Sequence, residues 1–394
     1  MTEENKNVKK FPNLRFPGFE DEWEEKKLGE IATFSKGKGI SKNEIVDNGE
    51  TECIRYGELY TFYEEVISEI QSKTNTDISS LVLSEANDVI IPASGETQID
   101  IATASCVLKS GVALGGDLNI IKTKNNGIFL SYYLNSKKKL EIAKLSQGIS
   151  VVHLYSSQLA LLNLKLPQFE EQEKLANFLS LLNSRIQTQK KIIEQLETLM
   201  KGNLEKIFRQ KLRFKNKQGN YFSIWKTMKL DEICDIKKGE QLNKDDLTES
   251  GNYPCLNGGM SFSGYTDKFN SDENTITISE GGNSCGFVNF MKSKFWLGGH
   301  CYKIILKKDI SKDFLFHLLK FYEREIMNLR VGSGLPNIQQ KDLKNLQLLI
   351  SEDIEEQNKI ANFLSFIQEK IETEKQILEK LELQKKFLLG NLFV

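Results

Sequence analysis

The chain has 394 residues, which exceeds one ordinary hydrophobic core, so two or more domains are expected. Its formal net charge of −1 excludes the strongly basic composition of many nucleic-acid-binding proteins, so an anionic partner would have to be bound locally. No run of 18 apolar residues supports a membrane span, and the polar start lacks a signal-peptide core. Six cysteines without CxxC spacing indicate reduced thiols, so a cytoplasmic protein is expected.

Short β-rich runs alternate with turns from residue 26 to 165. Strands are predicted at 88–92 and 119–122 and a helix at 127–134. A long helix of some 40 residues follows from about 170, and the pattern then repeats. Strands are predicted at 274–278 and 302–306, a short helix at 312–319, and a second long helix near the chain end.

An internal repeat organises the chain. Residues 170–180 (EEQEKLANFLS) and 355–365 (EEQNKIANFLS) share nine of eleven identities, and 188–197 matches 373–382 at the same offset. Upstream, Trp23 and its following residues recur around Trp225, and Leu-Gly-Gly at 114–116 recurs at 297–299. A period of domain size indicates a duplicated domain rather than a solenoid.

Both long helices carry apolar residues at alternating three- and four-residue spacing, the pattern of a coiled-coil seam. We expect pairing through Leu175, Leu179, Leu182, Ile186, Ile193 and Leu196 with Ile360, Leu364, Ile367, Ile371, Leu378 and Leu381. Gln189 and Glu374 share one seam register, so they either meet at the helix crossing or are separately solvated. The first helix leads from the first domain to the second, and the second helix starts from the second domain. Antiparallel pairing within the chain is favoured because it would bring the chain end back toward the first domain, while parallel or intermolecular pairing is left open.

The predicted class is α+β: two duplicated mixed domains separated by two long helices. The predicted boundaries are 11–165 for the first domain, 166–210 for the first helix, 211–350 for the second domain and 351–394 for the second helix.

Catalytic and metal-binding patterns are missing from the sequence. No GxxxxGK phosphate loop or HExxH motif occurs, and Gly37-Lys38-Gly39 indicates no more than a basic turn. His317 on an apolar helical face is expected to be a packed core residue. His300 beside Cys301 has no regular ligand spacing, so no metal site is predicted.

Local features suggest contact with nucleic acid. The connector 206–226 holds seven Lys or Arg residues, no acid and several aromatics, which suits phosphate contact but would also suit a solvated linker. Turns rich in Gly, Ser, Asn and Gln could read base edges or be ordinary turns. The candidate DNA-binding residues are Lys36, Lys38, Thr97, Gln98, Lys211, Arg213, Lys215, Lys217, Lys237, Lys238, Asn283, Ser284, Ser333 and Asn337.

Three segments carry a family resemblance: 15–23 (RFPGFEDEW), 27–41 (KLGEIATFSKGKGIS) and 166–172 (LPQFEEQ). In these, and in the duplication across nearly its whole length, the chain resembles the DNA-specificity subunit of type I restriction-modification systems. The second copy departs from this pattern. There, 350–353 (ISED) replaces the Leu-Pro-Gln segment, and Arg213-Phe214 lacks the following Pro-Gly.

The resemblance implies two target-recognition domains, each reading one half of a split, asymmetric DNA site. It implies two methyltransferase subunits as partners, and motor-nuclease restriction subunits in a larger complex. The chain itself is then expected to be non-catalytic, with S-adenosylmethionine, ATP and Mg²⁺ bound by the partner subunits. Base-reading residues vary within the family, so the resemblance assigns none.

Two rival functions remain open. A scaffold could pair proteins through its coiled coil without contacting DNA, and the sequence pI near 6.4 mildly favours that. An enzyme with a dispersed active site is the third possibility. Salt-dependent binding of duplex DNA would separate a reader from a scaffold.

Overall fold

A computed structural model describes residues 11–148, 151–332, 334 and 336–394. The chain folds into two compact units: one extends to residue 190 and includes 377–394, and the other comprises 191–376. Among the described residues, no helix is both long and apolar enough to cross a membrane. All six cysteines are buried and unpaired within this part of the chain.

The first globular region contains twelve strands in its described residues. They are β1 (Glu24–Lys27), β2 (Ala32–Lys36), β3 (Thr51–Ile54), β4 (Val66–Ile67), β5 (Ser72–Thr74), β6 (Asp88–Pro92), β7 (Ser94–Gly95), β8 (Ser105–Val107), β9 (Ala113–Leu114), β10 (Leu118–Thr123), β11 (Val152–His153) and β12 (Asn163–Leu166).

Short helices connect these strands, and one long helix follows them. They are α1 (Leu28–Ile31), α2 (Glu58–Thr61), α3 (Gln98–Ile101), α4 (Gly127–Tyr133), α5 (Lys139–Leu145), α6 (Ser156–Leu159) and the long helix α7 (Phe169–Phe208), with a π-helical turn at Leu134–Lys138.

The second region repeats this order with fewer elements. Its strands are β13 (Lys226–Lys229), β14 (Cys234–Lys238), β15 (Tyr253–Leu256), β16 (Gly264–Thr266), β17 (Thr275–Ser279), β18 (Val288–Met291), β19 (Trp296–Leu297), β20 (Cys301–Leu306) and β21 (Gln347–Ile350). Its helices are α8 (Leu230–Ile233), α9 (Lys312–Phe321), α10 (Glu323–Asn328), α11 (Gln340–Lys344) and the long helix α12 (Ile354–Asn391).

The sheet topologies confirm the predicted duplication and the α+β class. The first unit has a sheet of order β2-β10-β6-β8-β4, and the second has β14-β20-β17-β18. Beside these lie β5-β3-β9 and β16-β15-β19, in which β3 pairs parallel with β9 and β15 parallel with β19. The pairs β1-β12 and β13-β21 complete the match. The four predicted strands and both short helices coincide with β6, β10, β17, β20, α4 and α9, with ends shifted by at most two residues.

Within the first unit, α12 runs antiparallel to α7. Leu179 shares a hydrophobic core with Leu392, while Lys190, further along α7, lies 3.4 Å from Glu382, nearer the start of α12. Residues later in α7 therefore contact residues earlier in α12, which is the pattern of antiparallel helices.

The second unit shows the same direction. Lys375 pairs with Glu197 at 2.6 Å, and Ile360 lies in one core with Ile207. Antiparallel pairing is thus confirmed inside each unit. Of the twelve residues predicted to pair, Leu182, Leu196 and Leu378 are half-buried and the others are buried. The meeting of Gln189 with Glu374 stays a prediction.

A buried glutamine attaches the first long helix to its globular region. Gln172 is 2% exposed; its amide donates to the carbonyl of Pro167 (3.0 Å), and its oxygen accepts from the N–H of Asn126 (3.1 Å). Asn126 in turn caps α4, because its side chain accepts from the N–H of Phe129. One side chain therefore joins the start of α7 to the start of α4.

The repeat motif reproduces this attachment in the second unit. Gln357 is 1% exposed; it donates to the carbonyl of Ser351 (2.8 Å) and accepts from the N–H of Ser311 (2.8 Å), which caps α9. The most similar segment of the sequence repeat therefore contains a buried glutamine that hydrogen-bonds the long helix to its globular region. We call this contact the glutamine joint.

The glutamate before each glutamine is also buried but finds different partners. Glu171 accepts a two-point contact from Arg15 (2.8 and 2.7 Å), the first residue of the 15–23 motif. Glu356 accepts from the Nε1 of Trp225 (2.8 Å) and the hydroxyl of Ser351 (2.6 Å). Ser351, which belongs to the divergent segment 350–353 of the second copy, thus donates to Glu356, whereas Arg15 donates to Glu171 in the first copy.

Replacing Gln357 with alanine should lower the free energy of unfolding by about 3 kcal/mol, since it leaves two buried backbone groups unpaired at roughly 1 to 3 kcal/mol each. The urea midpoint, followed by fluorescence of the buried Trp225, measures the effect. Asn358→Ala changes an exposed neighbour and serves as the control. Equal midpoints for the two variants would show that the joint does not stabilise the unit.

Burial lowers the pKa of His317 to about 4, and its Nε2 lies 3.0 Å from the hydroxyl of Ser365. The predicted packed histidine is confirmed. The native state binds fewer protons than the unfolded chain between pH 4 and about 6.5, so stability should fall as the pH drops through this window, by up to about 3 kcal/mol. His317→Gln should flatten that dependence in denaturation curves at pH 4.5 and 7, whereas His300→Gln, at an exposed position, should not. An unchanged slope for His317→Gln would contradict the assignment.

Candidate nucleic-acid interface

The carboxyl ends of β2 and β6 lie at one edge of the first sheet. The strand between them, β10, is antiparallel to both, with Asn119 opposite Lys36 and Leu118 opposite Pro92. The segments that follow the two strands therefore leave from the same edge, which we call the first reading edge. Lys36 ends β2, and the two segments carry the other predicted residues of this edge, Lys38, Thr97 and Gln98.

A glycine turn fixes the backbone at this edge. Gly37 donates its N–H to the carbonyl of Leu118 (3.0 Å), and Lys38 donates to the carbonyl of Leu114 (2.9 Å). A Cβ at Gly37 would overlap the carbonyl oxygen of Gly115, so a larger residue cannot take this path. The exposed Lys38 is therefore presented from a fixed turn.

The second unit builds the same turn, which explains the repeated Leu-Gly-Gly segment. Gly239 donates to the carbonyl of Cys301 and the next residue, Glu240, donates to that of Leu297, both at 2.9 Å. A Cβ at Gly239 would overlap the carbonyl oxygen of Gly298. The carboxyl ends of β14 and β17 flank the start of β20 here, and they form the second reading edge.

A third segment lies against each edge. In the first unit, Gln147 and His153 exchange backbone hydrogen bonds (2.9 and 2.7 Å), and Leu154 donates to the carbonyl of Ala93, just after β6. The exposed His153 and the half-exposed Tyr155 are thereby added to the edge. Neither was predicted, because the pairing of residue 154 with residue 93 leaves no local sequence signal.

The corresponding segment of the second unit contains a predicted residue. Val331 and Asn337 exchange backbone hydrogen bonds (2.8 and 3.0 Å), and Ile338 donates to the carbonyl of Glu280, just after β17. Asn337 therefore occupies the position that His153 occupies in the first unit. Ser333, another predicted residue, lies outside the described residues.

Some side chains at the first edge are held by local contacts, and others are exposed to solvent. The ammonium of Lys36 lies over the ring of Tyr155, 5.9 Å from its centre, and stays exposed. Thr97 caps α3, because its hydroxyl oxygen accepts from the N–H of Asp100 and donates to that carboxylate. Gln98 is exposed, so its amide faces solvent. Thr97 therefore caps a helix, whereas Gln98 does not.

At the second edge, Lys238 forms an ion pair with Glu280 (2.7 Å), which also accepts from the hydroxyl of Tyr302. Lys237 and Asn283 are exposed. The half-buried Ser284 and Asn337 complete the predicted set at this edge, and the Asn337 side chain accepts from the amide of Gln339 (3.0 Å). The charge of Lys238 is thus partly neutralised.

The connector is more structural than its composition suggested. Phe208, Phe222 and Trp225 are buried, so these aromatics pack inside the protein; Phe208 and Trp225 lie in the second unit's main core. Arg213 donates to the carbonyl of Phe222 (2.6 Å) and lies over the ring of Tyr221. Apolar burial at both ends of the connector explains why it is ordered.

The connector still presents basic groups. Lys211, Lys215 and Lys217 are exposed, although the backbone carbonyl of Lys215 accepts from Lys359 (2.8 Å). All assignments of individual residues to DNA contact stay predictions.

The described residues hold no cluster of three potential metal ligands. Burial raises the pKa of Cys234 and Cys106 to about 12 and that of Cys301 to about 11, so these thiols are poor nucleophiles.

Comparison with known proteins finds one match in each half of the duplicated chain. The family model for the type I restriction modification DNA specificity domain matches twice, at residues 20–198 and 223–383. The specificity subunit of the type I restriction enzyme MjaVIII from Methanocaldococcus jannaschii is 26% identical over 421 residues, covering 98% of this chain and 95% of the relative.

A type I specificity subunit assigned in Mycoplasma genitalium is 36% identical over 157 residues, but that match covers only 39% of this chain and 41% of the relative. The alignment with a second relative, from Mycoplasma pneumoniae, likewise spans 43% of its length.

Solved structures share the fold. The crystal structure of a type I restriction-modification system S subunit from M. genitalium matches with a TM-score of 0.75 at 19% identity, covering 98% of this chain and 99% of that one. Since the two family-model matches together span most of the 394 residues, the chain belongs to the type I restriction-modification DNA specificity family.

Proposed function

We propose that this chain is the non-catalytic subunit that recognises a split, asymmetric DNA site and positions adenine methyltransferase subunits on it. The observation that carries the proposal is the duplicated reading edge. Each unit brings the same three segments together: a glycine turn, the loop after the neighbouring strand, and a bridged segment before α6 or α11. Two equivalent edges with different side chains suit two half-sites of different sequence.

In this proposal, charged side chains and uncharged polar side chains contact different parts of the DNA. Exposed lysines near the edges and in the connector would contact phosphates, which fixes position without carrying sequence information. Amides and hydroxyls at the edges, such as those of Gln98 and Asn283, would face base edges, where donor and acceptor patterns identify each pair. The backbone of each edge is fixed by its glycine turn, so these groups would need little reorganisation.

The long helices supply the proposed spacing. A helix of 40 residues such as α7 is about 60 Å long at about 1.5 Å per residue, which exceeds one turn of DNA at roughly 34 Å. In this proposal the paired helices set the spacer between half-sites and carry the methyltransferase subunits. Motor-nuclease subunits would join the larger complex, and S-adenosylmethionine, ATP and Mg²⁺ would bind to those partners.

Exchanging residues 26–165 for the matching region of another family member should change one half of the DNA site and leave the other half and the spacer unchanged. The chain is co-purified with its methyltransferase, and methylated adenines are mapped by sequencing. The reciprocal exchange of 228–350 is the control and should change the other half only. Both halves changing together would contradict modular reading, and specific methylation without this chain would favour the scaffold function.

Replacing Lys211, Lys215 and Lys217 with glutamine should weaken DNA binding about equally for target and non-target duplexes, since phosphate contacts are not sequence-specific. Arg213 is kept because its guanidinium holds the connector backbone. The slope of log affinity against log salt should fall by up to about 0.9 per lost contact.

The matched control replaces Lys124, Lys308 and Lys312, exposed lysines that follow the carboxyl ends of β10 and β20, away from the reading edges. It removes the same charge and should leave the salt slope unchanged. If both triple variants behaved alike, only net charge would matter and the connector would be a solvated linker.

A further inference from the structure

A cleft of about 580 Å³ opens beside the first reading edge. The segment from Gly39 to Lys42, which continues the glycine turn, lines it together with Gly115 and Gly116. Arg55 and Tyr56 after β3, and Tyr60 in α2, complete this part of the lining. The cleft therefore continues the surface that carries Lys38, and its lining residues come from segments far apart in the sequence.

Arg55 lines this cleft and has one buried nitrogen without a hydrogen-bond partner among the described residues. The side chain is 24% exposed, and its Nε is buried 3.9 Å from a carboxylate oxygen of Glu58. Among the described residues, this Nε has no hydrogen-bond partner. Buried donors are rarely left unpaired, so the Nε indicates an absent partner, and the partly exposed side chain is open to one.

Glu58 behind it is fixed. This carboxylate is 4% exposed, and it accepts from the backbone N–H of Arg55 (3.0 Å) and from the hydroxyl of Ser72 (2.6 Å). Three elements thus position one buried negative charge against the arginine stem. The pair limits the directions that the guanidinium can take, which is the pre-organisation that bidentate recognition requires.

The charges around the cleft favour a base edge over a phosphate. Asp117 and Glu44 line the cleft and offset the charges of Arg55 and Lys42. Burial together with Tyr56, Glu96 and Asp100 raises the pKa of the adjacent Tyr60. The cleft therefore has no excess of positive charge with which to attract a phosphate. The edge of a base pair is uncharged and offers acceptors, and the commonest specific arginine contact is bidentate, to O6 and N7 of guanine.

We propose that Arg55 is a specificity-determining residue that reads a guanine in the half-site bound by the first unit. This rests on the proposed function, because it names the chemistry with which one unit reads its half-site. Glu58 is the positioning residue that orients Arg55.

The second unit has a different group at the same backbone position. Gly298 donates to the carbonyl of Leu256 as Gly115 donates to that of Ile54, which places Asn257 where Arg55 stands in the first unit. The Asn257 side-chain oxygen accepts from the backbone N–H of His300 (3.2 Å). The two units thus present unlike chemistry at one equivalent point, so Arg55 should act on one half-site only.

The test uses the full chain co-purified with its methyltransferase. The methylated sequence of the wild-type complex is mapped first, and duplexes are then made with each guanine of the site replaced in turn. Arg55→Lys keeps the charge but loses the two-point geometry. It should reduce discrimination for guanine at one position of one half-site by roughly 5- to 150-fold in kcat/KM, leaving the other half-site unchanged.

Lys73→Gln is the matched control, because Lys73 is an exposed basic residue of the same unit, on β5, outside the lining of the cleft. It should leave base discrimination intact. If Arg55→Gln destabilises the fold by leaving Glu58 unpaired, the double variant Arg55→Gln with Glu58→Gln removes both charges and keeps the comparison possible. Its expected result is the same loss of guanine discrimination.

Three results would overturn the proposal alone: a half-site without guanine, unchanged discrimination in Arg55→Lys, or equal weakening on every duplex. The last would make Arg55 a phosphate contact or a fold contact. Wild-type complex that methylates without any sequence preference would instead overturn the proposed function, and this inference with it.

Discussion

The buried glutamine at the start of each long helix is the joint on which the rest of the fold depends. Gln172 and Gln357 each connect the entry of a long helix to the first turn of a globular helix through two backbone hydrogen bonds. A buried amide has few ways to satisfy both donor and acceptor, so the helix can be mounted in one orientation only. Within each unit the reading edge is thereby fixed relative to its helix. A less directional apolar contact would permit rotation or sliding of the helix.

The sequence predicted features that depend on local pattern or on repetition. The helices, their apolar seam and the central strands follow from periodicity, and the duplication follows from identity between the halves. The antiparallel direction was favoured by the order of domains and helices along the chain. The assembly of each edge could not be predicted, because contacts such as Leu154 with Ala93 join residues 61 positions apart. The connector shows the same limit of prediction from local sequence. Its composition suited phosphate contact or a solvated linker, yet Phe208 and Trp225 complete a core whose other residues are distant in sequence.

The two copies provide an internal comparison that separates scaffold from recognition. Backbone-determining positions agree: Gly37 and Gly239 make the same turn against the same Leu-Gly-Gly segment. Side chains that face outward from equivalent points differ, as His153 differs from Asn337 and Arg55 from Asn257. Glu171 and Glu356 show an intermediate case, in which the buried charge persists while its partner changes. A divergent surface on a duplicated frame suits an asymmetric target.

Local pairing of charges explains how a chain of net charge −1 could still discriminate DNA sequences. Lys238 is held by Glu280 and Arg55 faces Glu58, so these two basic groups are oriented by acids, while Lys36 and Lys237 stay exposed. Such pairing lowers the general attraction for phosphate and leaves directional donors in place. Affinity that is independent of sequence scales with the number of phosphates neutralised. Under the proposed function, sequence-independent affinity would come from exposed lysines such as Lys36, Lys38 and Lys237, and the acid-paired groups would contribute direction instead.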